Sequence, residues 1–99
     1  MKIRVLASAC NYLLNGHRFY EAQGEGLGDY FLDSLFAEID SLRIYAGIHQ
    51  RTDAGYYRLL VRRFPFAIYY RLKDDQVLVY AVLDCRRRPA WHRNRLKGH

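Results

Sequence analysis

The chain changes its hydrophobic period twice. Lys2 to Ala7 alternates, with Ile3, Val5 and Ala7 on one side and Lys2, Arg4 and Leu6 on the other, the period of two that suits a short half-buried strand. From Ala9 the spacing lengthens. Ala9, Tyr12, Leu13, Gly16, Phe19 and Tyr20 recur at steps of three and four, which predicts a first helix fading near Gln23, with Ser8 as its N-cap. Gly24-Glu25-Gly26-Leu27-Gly28 resembles a phosphate-cradling loop, but the third glycine of GxGxxG is missing and Glu25 would repel a phosphate. It reads as an interhelical turn. Leu27, Phe31, Leu35, Ile39 and Leu42, widened by Leu32 and Phe36, then trace one apolar stripe over about four turns. A second helix, packed on the first as a hairpin, is the expectation.

After a polar stretch from His49 to Ala54 the period of two returns in three runs. Tyr56 to Arg62 places Tyr57, Leu59 and Val61 on one face and Tyr56, Arg58, Leu60 and Arg62 on the other. Phe64 to Leu72 places Phe64, Phe66, Ile68, Tyr70 and Leu72 inward, with Ala67, Tyr69 and Arg71 outward. Pro65 lacks an N–H and belongs at a strand start or an edge. Lys73-Asp74-Asp75-Gln76 reads as a turn, and Val77 to Leu83 is apolar enough on both sides for a central strand. Pro89 ends the sheet, and Trp91 to Leu96 form a last short helical turn.

The predicted fold class is α+β: an N-terminal strand, an α-helical hairpin, then a three-stranded antiparallel meander in one twisted sheet. No internal repeat or low-complexity linker divides it, so residues 1–99 are expected to form one domain. Nine Tyr, five Phe and one Trp supply a core without disulfides or a structural metal. Cys10 and Cys85 match neither a disulfide framework nor a CxxC metal pair, and both are read as reduced, buried thiols. Met1 to Cys10 looks superficially like a lipoprotein signal, but Arg4 interrupts an apolar stretch too short for one. The longest apolar runs, Phe64 to Tyr70 and Val77 to Leu83, fall far below the ~18 residues a membrane span needs. A cytoplasmic protein is expected.

Charge changes the picture. Residues 1–49 hold four Lys/Arg against six Asp/Glu, whereas residues 50–99 hold twelve against four, so this basic protein is electrically lopsided. Arg86, Arg87, Arg88, Arg93, Arg95 and Lys97 follow one another with no acidic residue among them. Such a tail expects a nucleic-acid backbone or an acidic peptide as partner. Alternation puts Arg58 and Arg62 on one outward strand face and Tyr69 and Arg71 on the next. With Arg86, Arg87, Arg88, Trp91 and Arg93 they make a candidate surface for a target or a nucleic acid. Guanidinium groups grip phosphates and aromatic rings stack on bases.

Catalysis has less to work with. Metal-free RNA cleavage needs a base, charge stabilisation and an acid. Arginines stabilise charge but stay protonated, and His92 is the one side chain of the basic tail that titrates near neutrality. No paired carboxylates, Ser/His/Asp set or metal-ligand spacing is present, so neither metal nor cofactor is expected. His17, His49 and His99 are scattered without partners at recognisable spacing.

Two segments resemble a known family: Tyr57 to Tyr70, with its Arg62-Arg63-Phe64-Pro65-Phe66-Ala67-Ile68-Tyr69-Tyr70 run, and Val79 to Pro89 followed by Trp91. With the order of elements they are similar to the ParE/RelE superfamily, the toxin halves of bacterial type II toxin–antitoxin (plasmid stabilisation) modules. The resemblance covers roughly residues 3–96. RelE-type ribosome-dependent nucleases carry a catalytic arginine where this chain has Ala67. Their lysine pair is matched only by Arg58 and, less well, by Leu60, while Arg87 falls at a matching basic position. The Phe-Pro-Phe-Ala version looks like the ParE branch, whose members inhibit DNA gyrase without cutting RNA. Against that branch, Asp84 stands where a histidine is common and Arg88 where an aspartate often precedes the proline.

The resemblance implies a growth-inhibiting toxin neutralised by an acidic antitoxin, with which it forms a hetero-oligomer. The antitoxin would lie over Leu27, Phe31 and Leu35 and set carboxylates against Arg58, Arg62 and Arg87. Two alternatives stay open. One is a ribosome-dependent mRNA endonuclease using Arg58, Arg62, Arg87 and His92; the other is a diverged member that only binds antitoxin.

Overall fold

The chain folds in the order that its period changes predict, with an additional strand and a longer last helix. The computed structural model describes residues 1–97. The elements are β1 (Lys2–Val5), α1 (Ala7–Glu21), α2 (Leu27–Tyr45), β2 (Gln50–Arg51), β3 (Tyr57–Leu60), β4 (Phe66–Lys73), β5 (Gln76–Asp84) and α3 (Pro89–Lys97). One five-stranded sheet runs β1-β5-β4-β3-β2. β1 lies parallel to β5, and the other pairs are antiparallel. The fold is therefore the expected α+β class, but the meander has β2 on its outer edge.

α1 begins two residues before its predicted start. Leu6 occupies the N-cap with no side-chain bond, and the Ser8 hydroxyl, expected to cap, instead donates to the Tyr80 carbonyl at 2.7 Å. That bond ties the helix to β5. Gly24 to Gly28 is the predicted interhelical turn, and its amides have a partner. Glu21, at the end of α1, accepts from the N–H of Gly28 at 2.9 Å and of Gly26 at 3.1 Å, so a carboxylate caps the positive end of α2. Gly16 sets the closeness of the hairpin: a Cβ there would lie 2.4 Å from the Phe31 ring. At the β4–β5 turn, Asp74 and Asp75 have φ of 52° and 60°, the left-handed pair that suits a two-residue hairpin.

The sheet separates two apolar clusters. Under the helical hairpin lie Leu13, Phe31, Leu35, Leu42, Ile68 and Tyr70 with the β5 valines. On the opposite face Tyr56, Ala67, Tyr69, Ala81 and Leu83 pack beneath Leu96 of α3. β5 serves both faces through a bulge. Tyr69 pairs with Ala81 but Tyr70 with Val79, leaving Tyr80 as an extra residue that reverses the alternation. Val77 and Val79 therefore share a face with Val82. Pro65 lies just before β4, where its carbonyl accepts from Cys85 N–H at 2.7 Å. Leu72, expected inward, is exposed, and of the two thiols expected to be buried, Cys10 is exposed and Cys85 half-buried.

Candidate functional site

α3 covers the sheet face that the sequence left open, and the site forms at its margin. The end of β5 turns at Asp84 to Arg88, and α3 then lays His92 and Leu96 back over β4. An open cavity of about 630 Å³ lies between α3, β3 and the segment leading out of β2. Arg58, Tyr69, Arg87, His92 and Arg93, all expected from sequence, line it.

A chain of hydrogen bonds fixes its floor. His92 Nε2 lies 2.8 Å from the Asp84 carbonyl oxygen, which can only accept, so Nε2 carries the hydrogen. In the neutral imidazole Nδ1 is then the acceptor, and it takes the Tyr69 hydroxyl at 2.9 Å. The same hydroxyl accepts from Arg58 Nε at 3.0 Å. Arg58 also points Nη2 at the Cys85 sulfur, 3.8 Å away. Burial pushes the Tyr69 hydroxyl and the Cys85 thiol above their usual pKa values, against a smaller lowering by Arg58. Arg58 makes no ion pair among the described residues.

This geometry changes the parts assigned to several residues. Tyr69, expected outward as a stacking ring, is 2% exposed; its hydroxyl orients neighbours, and its face is packed. His92 has both ring nitrogens engaged, so a substrate hydroxyl would have to displace Tyr69 before His92 could act as a base. Arg62 does not share a face with Arg58. β3 ends at Leu60, and Arg62 turns instead toward α2, where its guanidinium lies 3.1 Å from Glu38. Ala67 is fully buried in the cluster under α3, so the position that the sequence resemblance sets against the nuclease arginine lies inside the packed layer.

The remaining cations divide by partner. Arg86 is tied bidentately to Asp84, at 3.0 and 2.8 Å, and this bonding holds the Asp84 carboxyl below its usual range. Arg71 lies 3.9 Å above the Tyr56 ring and donates to the Ala54 carbonyl. Arg87 and Arg95 lie 5.2 and 4.9 Å from the centre of the Trp91 ring, within cation–π reach. Arg88 and Arg93 are exposed.

The surface expected to receive an antitoxin is also corrected. Phe31 and Leu35 are fully buried, because the Phe31 ring packs 5.1 to 5.2 Å from those of Tyr20, Phe64 and Phe66. Leu27 is 38% exposed and remains available. Two histidines have partners after all: His17 lies 3.1 Å from Asp29, and His49 Nδ1 takes the Tyr70 hydroxyl. His99 lies outside the described residues.

Sequence reasoning missed the wall contributed by Arg51, Thr52, Asp53 and Ala54. A signal existed. Gly55 has φ of 87°, and the Thr52 hydroxyl accepts from Tyr56 N–H, so Thr52-Asp53-Ala54-Gly55 is the glycine-bearing turn of a short hairpin.

The strand, helical hairpin and sheet closed by a terminal helix define an α+β architecture that other chains share. A solved chain described as "Chromosomal ParDE TA system from P. aeruginosa" matches with a TM-score of 0.77. The match covers 83% of this chain and 92% of that one at 17% identity, a likeness of fold. No family model and no curated protein matches the sequence. Among the described residues no helix is long and apolar enough to cross a membrane.

Proposed function

We propose that this chain, acting as one cytoplasmic domain over residues 1–99, is the growth-inhibiting toxin of a type II toxin–antitoxin module. In this reading it is of the ParE kind: it binds DNA gyrase rather than cutting RNA, and a cognate acidic antitoxin neutralises it. The observation that carries the reading is the fold shared with a chain of the ParDE TA system. The cation-lined cavity supports an acidic partner, with Arg58 and Arg87 receiving carboxylates and Leu27 an apolar side chain. The occupied nitrogens of His92 and the buried Ala67 weigh against the nuclease alternative.

The test is a gyrase supercoiling assay run beside primer extension on a defined message in reconstituted translation. Inhibited supercoiling with an intact message is the expected result. Cleavage that appears only with ribosomes would overturn the reading and make the chain an endonuclease. Neither effect would leave antitoxin binding alone.

A further inference from the structure

The cavity beside α3 has a composition that a protein partner alone does not explain. Arg58, Arg87, Arg93 and Lys97 line it with one carboxylate, Asp53, among them; the Arg51 guanidinium lies instead over the Tyr57 ring, on the hairpin face of the sheet. None of these five cavity side chains, Asp53 included, is in an ion pair among the described residues. Arg58 is half-buried and held in one orientation by Tyr69, itself held by His92, so its free N–H groups are aimed before anything binds. Between the cations the wall is mostly apolar, with Ala54, Pro89 and Leu96 contributing. About 630 Å³ lies within the range of roughly 300–1,000 Å³ that holds small organic ligands.

We propose that this cavity is a binding site for a small organic phosphate of mononucleotide size. The phosphate would sit on Arg58 and Arg87, and the flat organic part would lie against Ala54, Pro89 and Leu96. Four cations against one carboxylate favour a multiply charged phosphate over a single carboxylate. Guanidinium groups bind phosphate oxygens through paired N–H donors. The proposal goes beyond the toxin reading and does not rest on it, because it concerns the free chain.

Calorimetry on the full-length chain, with adenosine 5′-monophosphate, adenosine and inorganic phosphate as probes, tests it. Saturable binding of the monophosphate is expected, with adenosine not bound and inorganic phosphate weaker. Arg58→Gln and Arg87→Gln should each weaken the monophosphate by about tenfold or more. Arg87 is exposed, so its variant keeps the test valid should Arg58→Gln fold poorly. Arg63→Gln, outside the cavity, should change nothing. An equal loss in Arg63→Gln would mean diffuse surface charge and would overturn the site. So would equal binding of adenosine and its monophosphate, or saturable binding of a short single-stranded RNA but not of the monophosphate. Because no antitoxin or gyrase takes part, failure here leaves the toxin reading standing, and the reverse also holds.

Discussion

Both faces of the sheet are roofed by helix and lined with aromatic rings, yet they are held together differently. Under the helical hairpin, Tyr20, Phe31, Phe64 and Phe66 interlock ring against ring, and stability there comes from burial and dispersion. Under α3 the apolar layer is thinner. Tyr69 is as buried as its neighbours but spends its hydroxyl on Arg58 and His92, so a polar chain runs through the packing. The hairpin face also buries a bonded hydroxyl, that of Tyr70, but its partners are His49 and the Gly47 N–H. On the α3 face the bonded chain ends on the Arg58 guanidinium and holds that charge in place at the cavity.

Substitutions should separate the two. Phe31→Ala removes the ring on which three others converge and should cost about 3–5 kcal/mol in urea denaturation. A loss under about 1 kcal/mol would show that the cluster closes over the gap and that the hairpin face is not jigsaw-packed. Tyr69→Phe keeps the ring and deletes the hydroxyl, leaving His92 Nδ1 and Arg58 Nε without their partner. About 1–3 kcal/mol is expected, together with loss of the fixed Nε2–H tautomer in the His92 ring nitrogen spectrum. An unchanged tautomer would mean that the Asp84 carbonyl alone sets it.

The smallest effect is a pH dependence on the hairpin face. Burial lowers the pKa of His49 below the ordinary histidine value, against a smaller raising by Glu38, and its Nδ1 accepts the Tyr70 hydroxyl only when unprotonated. The folded state thus prefers neutral His49. Its stabilisation is present in full above the unfolded pKa of about 6.5 and is lost as pH falls toward the lower folded value. Denaturation midpoints measured between neutral and mildly acid pH should decline, and the decline should be shallower in His49→Gln. Parallel curves would remove His49 from the account.

Much of the fold was legible because one face of each element is buried and the hydrophobic period reports it. The stripe Phe31, Leu35, Ile39 and Leu42, the alternation of β4 and the Asp74-Asp75 turn were all readable from residue type. The same signal cannot say what covers an apolar stripe: Phe31 and Leu35 read equally well as a partner's groove and as the place that the rings of Tyr20, Phe64 and Phe66 fill. Alternation places a side chain only while the strand lasts, and β3 stops at Leu60, which sent Arg62 to Glu38. α3 carries too few apolar residues to announce that it packs, so Tyr69 looked outward. Arg58, Arg87 and His92 were found by chemistry. Their linkage through the Tyr69 hydroxyl depends on tertiary approach and has no trace in spacing.

β1 pairs with β5 in parallel, Lys2 beside Gln76 and Val5 beside Val79. β1 thus waits for its sheet partner until β5, far along the chain, has been synthesised. Until then the α1–α2 hairpin, although it can form locally, keeps its apolar face without a sheet to cover it. Pairing across so large a loop is slow to close, because the chain entropy is lost before the contacts form. The nascent protein therefore passes through a period when the side chains that later make its best-packed layer are its most adhesive surface.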